Sequence, residues 1–204
     1  MTKELAETPQ NTSGVDPHVQ GEESARQPRE TGVSLKEINI RRLSDELAAL
    51  INWRVKLVRM LLTREMNSDL FNELYFEYLK KAKELDRKRI ELSKMISERI
   101  ESLAFELQQL KLRCEAGEIS AREYIERKLK VDQEMWTLGP KLTMLQNPYK
   151  TTSLNVYGAY RTILDLVDNF EKEAPTLGVD TRTVNTVVKD LKQIHMVVGA
   201  ESQE

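Results

Sequence analysis

Two histidines, one cysteine and a run of lysines and arginines are the residues of this chain with the chemistry to carry a reaction or hold a ligand. His18 and His195 lie far apart, and neither has a second imidazole or a cysteine at ligand spacing. A metal site needs such a set of donors, so neither a metal nor another cofactor is expected. His195, beside Ile194, reads as a helix-edge residue. Cys114 continues an apolar series and reads as a small buried hydrophobe rather than a nucleophile. There is no glycine-rich phosphate loop, and the carboxylates alternate with basic residues as they do on solvated helix faces. The expectation is a chain that is not an enzyme and has no small-molecule substrate.

The basic run "LKKAKELDRKR" invites a nucleic-acid or membrane reading. On a helix, Lys80–Glu84, Glu84–Lys88 and Arg87–Glu91 fall at i,i+4, so pairing within the helix is the simpler expectation. The formal net charge of −2 favours neither nucleic acid nor an anionic membrane. Nucleic-acid contact through residues 80 to 89 stays as the alternative. Arg89 lies on the apolar seam itself, where a charge sets register or faces an acidic partner.

The elements that carry these residues follow from the spacing of apolar groups. Charged residues make up 31% of the chain and aromatics only 6%, which points to long helices rather than a compact globule. Residues 1 to 33 have few large apolar groups and three of the six prolines. They read as a disordered, mildly acidic tail. No basic-plus-apolar leader opens the sequence, and no apolar run is long enough to span a membrane. With a single cysteine, a cytoplasmic setting is expected.

Ser34 and Glu37 form a capping box before a first helix whose apolar face is Ile38, Leu43, Leu47, Leu50, Leu57 and Leu61, with Arg54 tolerated between them. Asn67 or Ser68 can cap the second helix. Its seam runs Phe71, Leu74, Tyr78, Ala82, Leu85, Arg89, Leu92, Ile96, Ile100, Leu103, Leu107, Leu110 and Cys114. In "CEAGEIS", Gly117 can take the left-handed conformation that ends a helix, Ser120 can cap the next one, and Ile119 can pack back as a staple. A turn this short implies antiparallel neighbours, so the tip of a helical hairpin is expected near 116–120. The third helix carries Tyr124, Lys128, Val131, Met135, Leu138, Leu142 and Leu145. Gly139-Pro140 should kink or break it.

"QNPYKTTS" reads as a linker. A fifth stretch carries Val156, Tyr160, Ile163, Leu164, Val167 and Phe170 after a cap at Ser153, and a final helix carries Val184, Val187, Val188, Leu191, Ile194 and Val198. The fold class expected is all-α: a disordered tail over 1–33, an elongated helical hairpin or coiled coil over 34–147, and a small C-terminal helical pair over 148–204. Leu74, Tyr78, Leu85, Leu92, Ile96 and Leu103 are the expected oligomer seam. Val184, Val187, Val188, Leu191 and Ile194 form one face suited to docking in a partner's groove, or on the preceding helix of the same chain.

Three stretches, "INWRVKLVRMLL", "SDLFNELYFEYLKKAKELD" and "CEAGEISAREYIERKL", resemble the coiled-coil region of the archaeal CdvA cell-division family, over roughly residues 40 to 147. The resemblance implies a cytoplasmic, polymer-forming scaffold that brings ESCRT-III-like subunits to the division site or inner membrane face. Membrane association would then be indirect. Two departures matter. The family's N-terminal β-barrel-like domain has no counterpart here, and the C-terminal "TVNTVVKDLKQIHMVV" does not match the family's partner-binding segment residue by residue.

Overall fold

The computed structural model describes residues 39–203. The expected tail and the Ser34–Glu37 box lie outside them. From Ile38 onward the chain forms one unit. Among the described residues every regular element is helical.

Helix α1 (Ile40–Leu62) starts at Asn39, whose Oδ1 accepts the Arg42 N–H at 3.0 Å. Helix α2 (Ser68–Glu115) starts at Asn67, whose Oδ1 accepts the Leu70 N–H at 2.9 Å. Its 48 residues extend about 72 Å at 1.5 Å per residue. Such a helix is not held by propensity, so different parts of it must pack on different surfaces. Its first turns bury Phe71, Tyr75, Leu79 and Ala82. Farther on, the buried residues fall seven apart: Ile96, Leu103 and Leu110.

Gly117, at φ +77, ends α2. The Glu118 N–H reaches back to the Arg113 carbonyl at 2.9 Å, which satisfies one of the helix's last acceptors. Ser120 Oγ then accepts the Glu123 N–H at 3.2 Å and opens α3 (Ala121–Gln146). α3 returns antiparallel to α2. Arg99 holds both oxygens of Glu134 at 2.7 and 2.9 Å, and Arg89 Nη1 donates to the Leu145 carbonyl at 2.6 Å. In this register the buried residues of α3, Val131, Leu138 and Leu145, also recur every seven residues and face the α2 series.

The break expected at Gly139-Pro140 does not occur, and α3 runs through it. Proline deprives only the carbonyl one turn back, at Trp136, and that residue lies in water. Gly139 removes the Cβ that would clash with the proline ring. Leu138 and Leu145, both buried, hold the helix on either side.

The stretch read as a linker is pinned at two places. It contains a short helix, α4 (Pro148–Thr151), which has no cap of its own. Glu201 supplies one from the far end of the chain, accepting the Tyr149 and Lys150 N–H groups at 2.8 and 3.0 Å. Asp45 of α1 takes the Thr152 hydroxyl at 2.7 Å and the Ser153 N–H at 2.9 Å. Ser153 therefore does not cap α5 (Tyr157–Glu173). Asn155 does part of that work, accepting the Gly158 N–H. A short 3-10 turn ends at Gly178, φ +84. Asp180 then takes the Arg182 and Thr183 N–H groups at the start of α6 (Thr181–Gln203).

α1, α5, α6 and the first turns of α2 share one core, centred on Ile51, Val55, Val58, Phe71, Phe170 and Leu191. The C-terminal helices are therefore part of the body that α1 builds. Arg54 is not merely tolerated: it is 5% exposed, and its Nη1 holds Asp190 Oδ1 and Oδ2 at 2.6 and 2.7 Å. The fully buried Tyr75 donates its hydroxyl to the same carboxylate at 2.7 Å. Burial first, and then the Asp190 charge, hold the Tyr75 phenol well above its ordinary pKa. One ionic knot therefore joins α1, α2 and α6.

Two predictions follow from these contacts. Arg54→Met or Asp190→Leu alone should cost roughly 3–5 kcal/mol, because each leaves a buried charge uncompensated. The Arg54→Met/Asp190→Leu pair should cost far less than the sum, as a denaturant-unfolding cycle measures. Additive losses would remove the knot from its place in the fold. Glu201 is also buried, and desolvation raises its carboxyl pKa despite the two amides that lower it. A raised folded-state pKa gives stability that is complete below the ordinary carboxylate value of about 4.3 and is lost as pH rises through the folded value. Glu201→Gln should therefore flatten the fall in melting temperature over that range and melt higher at pH 7. A pH series of thermal melts on both proteins checks this.

Candidate functional site

Beyond Ala82, α2 leaves the body core and pairs with α3 as a two-helix arm. At the tip, Ile119 is buried, 7% exposed, between the glycine that ends one helix and the serine that starts the next. A Cβ at Gly117 would meet nothing within 4 Å, so its positive φ alone selects glycine there.

The six expected seam residues are occupied within the chain. Ile96 and Leu103 are 1% exposed and face α3. Leu74 and Tyr78 pack at the edge of the body core, and Leu85 and Leu92 are half-buried. Within the chain α3 reaches back as far as Arg89 and the body covers the start of α2, so Ile96 and Leu103 are covered fully and the other four in part. The deepest residues there are Tyr75 and Leu79, one position on from Leu74 and Tyr78. The body packs on the start of α2 and α3 on its far part, and Tyr75, Ala82, Arg89, Ile96, Leu103 and Leu110 continue at a step of seven from one partner to the other. The signal available was the i,i+4 step Phe71, Tyr75, Leu79.

The expected docking face is corrected. Val184, Val187, Val188, Leu191 and Ile194 are all buried in the body core, packed with α5 and α1. The nearby face of the same chain satisfies them, because α5 presents Ile163, Val167 and Phe170 at matching helical spacing.

The outside of the arm presents large apolar groups. On α3, Ile125, Leu129 and Trp136 are 62%, 57% and 80% exposed. Their spacing of four and seven places them on one stripe, on the side of α3 away from Val131 and Leu138. The back of α2 carries exposed Ile90, Phe105 and Leu112. Single exposed hydrophobes are ordinary, whereas these stand in stripes at helical spacing on an otherwise charged arm.

The basic run behaves differently from the simple expectation. Of the three i,i+4 pairs read from the sequence, only Arg87–Glu91 forms, at 3.4 Å. Lys81 pairs instead with Glu77 at 2.5 Å, and Arg89 with Asp86 at 2.7 Å. Lys80 and Lys83 have no acidic partner among the described residues. Arg89 sits on the seven-residue series of α2, level with the last turn of α3, and caps that turn.

His195 stacks on Tyr160 with ring centroids 4.5 Å apart. Cys114 is a half-buried free thiol. Among the described residues no group of three or more His, Cys, Asp or Glu side chains is placed to hold a metal, and no helix is long and apolar enough to cross a membrane. No family model matches the chain, and neither a curated protein nor a solved structure matches it.

Gly117→Val should cost about 1–2 kcal/mol through the left-handed backbone alone, since there is room for the side chain. The strain should favour continuous helix across the tip. The expected outcome is a lower melting temperature with a larger hydrodynamic radius, by sedimentation, for the variant. Unchanged values in both would show that the tip does not depend on glycine.

Proposed function

We propose that the chain is a non-enzymatic scaffold that assembles with copies of itself through its arm, acting as an elongated coiled-coil hairpin. The observation that carries this reading is the stripe of Ile125, Leu129 and Trp136 on the outer face of α3. A second copy is the favoured occupant for reasons of symmetry. Arg122 and Trp136 lie one heptad before and one heptad after Leu129. An antiparallel pair with its two-fold axis at Leu129 brings each Arg122 level with the other copy's Trp136. That is a cation–π contact of about 0.5–1 kcal/mol at an exposed site, made twice. With a net charge of −2, long-range self-repulsion is weak.

The resemblance to the CdvA family extends the proposal to scaffolding in archaeal cell division, with an ESCRT-III-like protein as partner and the membrane reached only indirectly. Because the five residues first read as a docking face are buried, such a partner would use the arm rather than α6. A second reading rests on Lys80 and Lys83, which have no acidic partner among the described residues and lie with Arg87 on one side of α2. They suit a polyanion such as nucleic acid.

Sedimentation of the full chain should give a dimer or larger species at micromolar concentration. Leu129→Arg with Trp136→Lys should return it to monomer without lowering the melting temperature, since both positions are exposed. A monomeric wild type, or a variant that assembles equally well, would end the self-assembly reading. Binding to mixed-sequence DNA that weakens steeply with salt and is lost in Lys80→Gln/Lys83→Gln would favour the second reading.

A further inference from the structure

Between α2 and α6 runs an open groove of about 790 Å³, room for a length of chain rather than for one ion. The buried Leu79 and the Asp190 carboxylate form its inner part. The rest of the lining is polar, with Lys83 on the α2 wall and Arg182, Asn185, Lys189 and Gln193 on the α6 wall. Along α2 the surface continues past Leu79 and Lys83 to Phe76, Lys80 and Arg87. Asp190 brings no free negative charge, since Arg54 holds both of its oxygens and Tyr75 donates to one. Arg87 pairs with Glu91 at 3.4 Å. Lys80, Lys83, Arg182 and Lys189 have no acidic partner among the described residues, and the uncommitted carboxylate of the lining is Glu84, on the α2 rim. The groove therefore carries surplus positive charge, on a chain whose formal net charge is −2.

Arg182 and Lys189 stand two turns apart on α6, about 10 Å, and so do Lys80 and Arg87 on α2. One phosphate or carboxylate cannot reach both ends of either row, so the rows match a ligand with repeated charges. Leu79 is the one apolar residue in the lining of the main groove, which leaves no pockets for the side chains by which a peptide is read. A phosphodiester backbone needs none. A duplex is a stiff convex rod that meets the rims of a groove, whereas a single strand can lie inside it with cations on both walls. Phe76, 39% exposed beside Lys80, adds a face on which an unpaired base can stack. Tyr75 holds that ring edge-on, with centroids 6.4 Å apart and planes at 84°, and the Tyr75 hydroxyl is itself fixed by Asp190.

We propose that the α2–α6 groove binds single-stranded nucleic acid, with the backbone between Lys80 and Lys83 on one wall and Arg182 and Lys189 on the other, and a base on Phe76. This rests on the nucleic-acid reading of Lys80 and Lys83 and narrows it to one strand in one groove. DNA and RNA share that backbone. The groove is separate from the stripe on the outer face of α3, and its occupation does not depend on self-assembly.

The test is titration of the full-length chain into labelled oligo-dT, oligo-rU and a mixed-sequence duplex of equal length, read by fluorescence anisotropy over a salt series, with polyglutamate as competitor. Oligo-dT, oligo-rU or both should bind more tightly than the duplex, with a log–log salt slope of about −0.7 per phosphate held. Arg182→Gln/Lys189→Gln should weaken binding about tenfold and make the slope shallower by about 1.4, for the two contacts removed. Phe76→Leu should weaken it about fivefold or more and leave the slope unchanged, because stacking carries no counterion release. All three positions are exposed, so the variants should melt near the wild type. Tighter binding of oligo-dT assigns DNA, and tighter binding of oligo-rU assigns RNA. A duplex that binds as tightly as the single strands overturns the groove assignment and leaves the broader reading of Lys80 and Lys83 standing, as do variants that bind like the wild type. Displacement of the strands by polyglutamate at equal charge overturns it in favour of an acidic protein segment. No binding by strand or duplex ends both the groove assignment and the nucleic-acid reading.

Discussion

Arg54, Asp190 and Tyr75 tie three helices through one carboxylate, and the positions of the other elements depend on that contact. A buried ion pair gains little net stability over apolar residues of the same shape. What it adds is discrimination, because an apolar face tolerates sliding and a two-oxygen contact to one guanidinium nitrogen does not. α6 could pack its valines on α5 in several registers. Only one of them puts Asp190 against Arg54 and within reach of the Tyr75 hydroxyl. With α6 in that register, Glu201 comes to the start of α4 and supplies the cap that the sequence around Pro148 lacks.

The same contact explains why the body was the less legible half of the fold. Arg54 and Asp190 are 136 residues apart in the chain, and no local pattern links them. An arginine between leucines reads as a surface residue, and its burial is visible only once α6 is in place. Likewise the valine-rich face of α6 reads equally well as a docking face or a core face, since spacing shows that a surface is apolar but not what covers it. Asp45 and Glu201 act at a distance too, so the stretch they order reads as a plain linker.

The arm was legible for the opposite reason: its determinants are local. Asn67, Gly117 and Ser120 each act within one helical turn, by capping or by backbone conformation, and their residue types announce the role. The all-helical class follows from the same periodicity. What the apolar series of α2 does not reveal is where one partner gives way to the next. The series serves two surfaces. Phe71, Tyr75 and Leu79 step by four toward the body, while Ile96, Leu103 and Leu110 step by seven toward α3. Gly139-Pro140 misled, because the rule that proline breaks a helix assumes the lost acceptor is buried. Here the carbonyl one turn back belongs to Trp136, the most exposed large hydrophobic residue of the arm.

A helix that changes its packing partner along its length has a stretch where neither partner covers it fully. On α2 that stretch lies between Ala82 and Leu92, where the seam position is taken by Arg89 rather than by an apolar group. Arg89 occupies the seven-residue position between Ala82 and Ile96, where an apolar side chain would continue the series. A leucine there would meet the end of α3 and the polar start of α4, while the guanidinium can cap the Leu145 carbonyl and pair with Asp86. The crossover is thus stabilised by polar bonds, and polar side chains with planar heads do not fill space as densely as interlocking aliphatic ones. The cleft that α1, α2, α4 and α6 enclose at this place arises from that change of packing partner, where the requirements of the arm and of the Arg54–Asp190 contact meet on one helix.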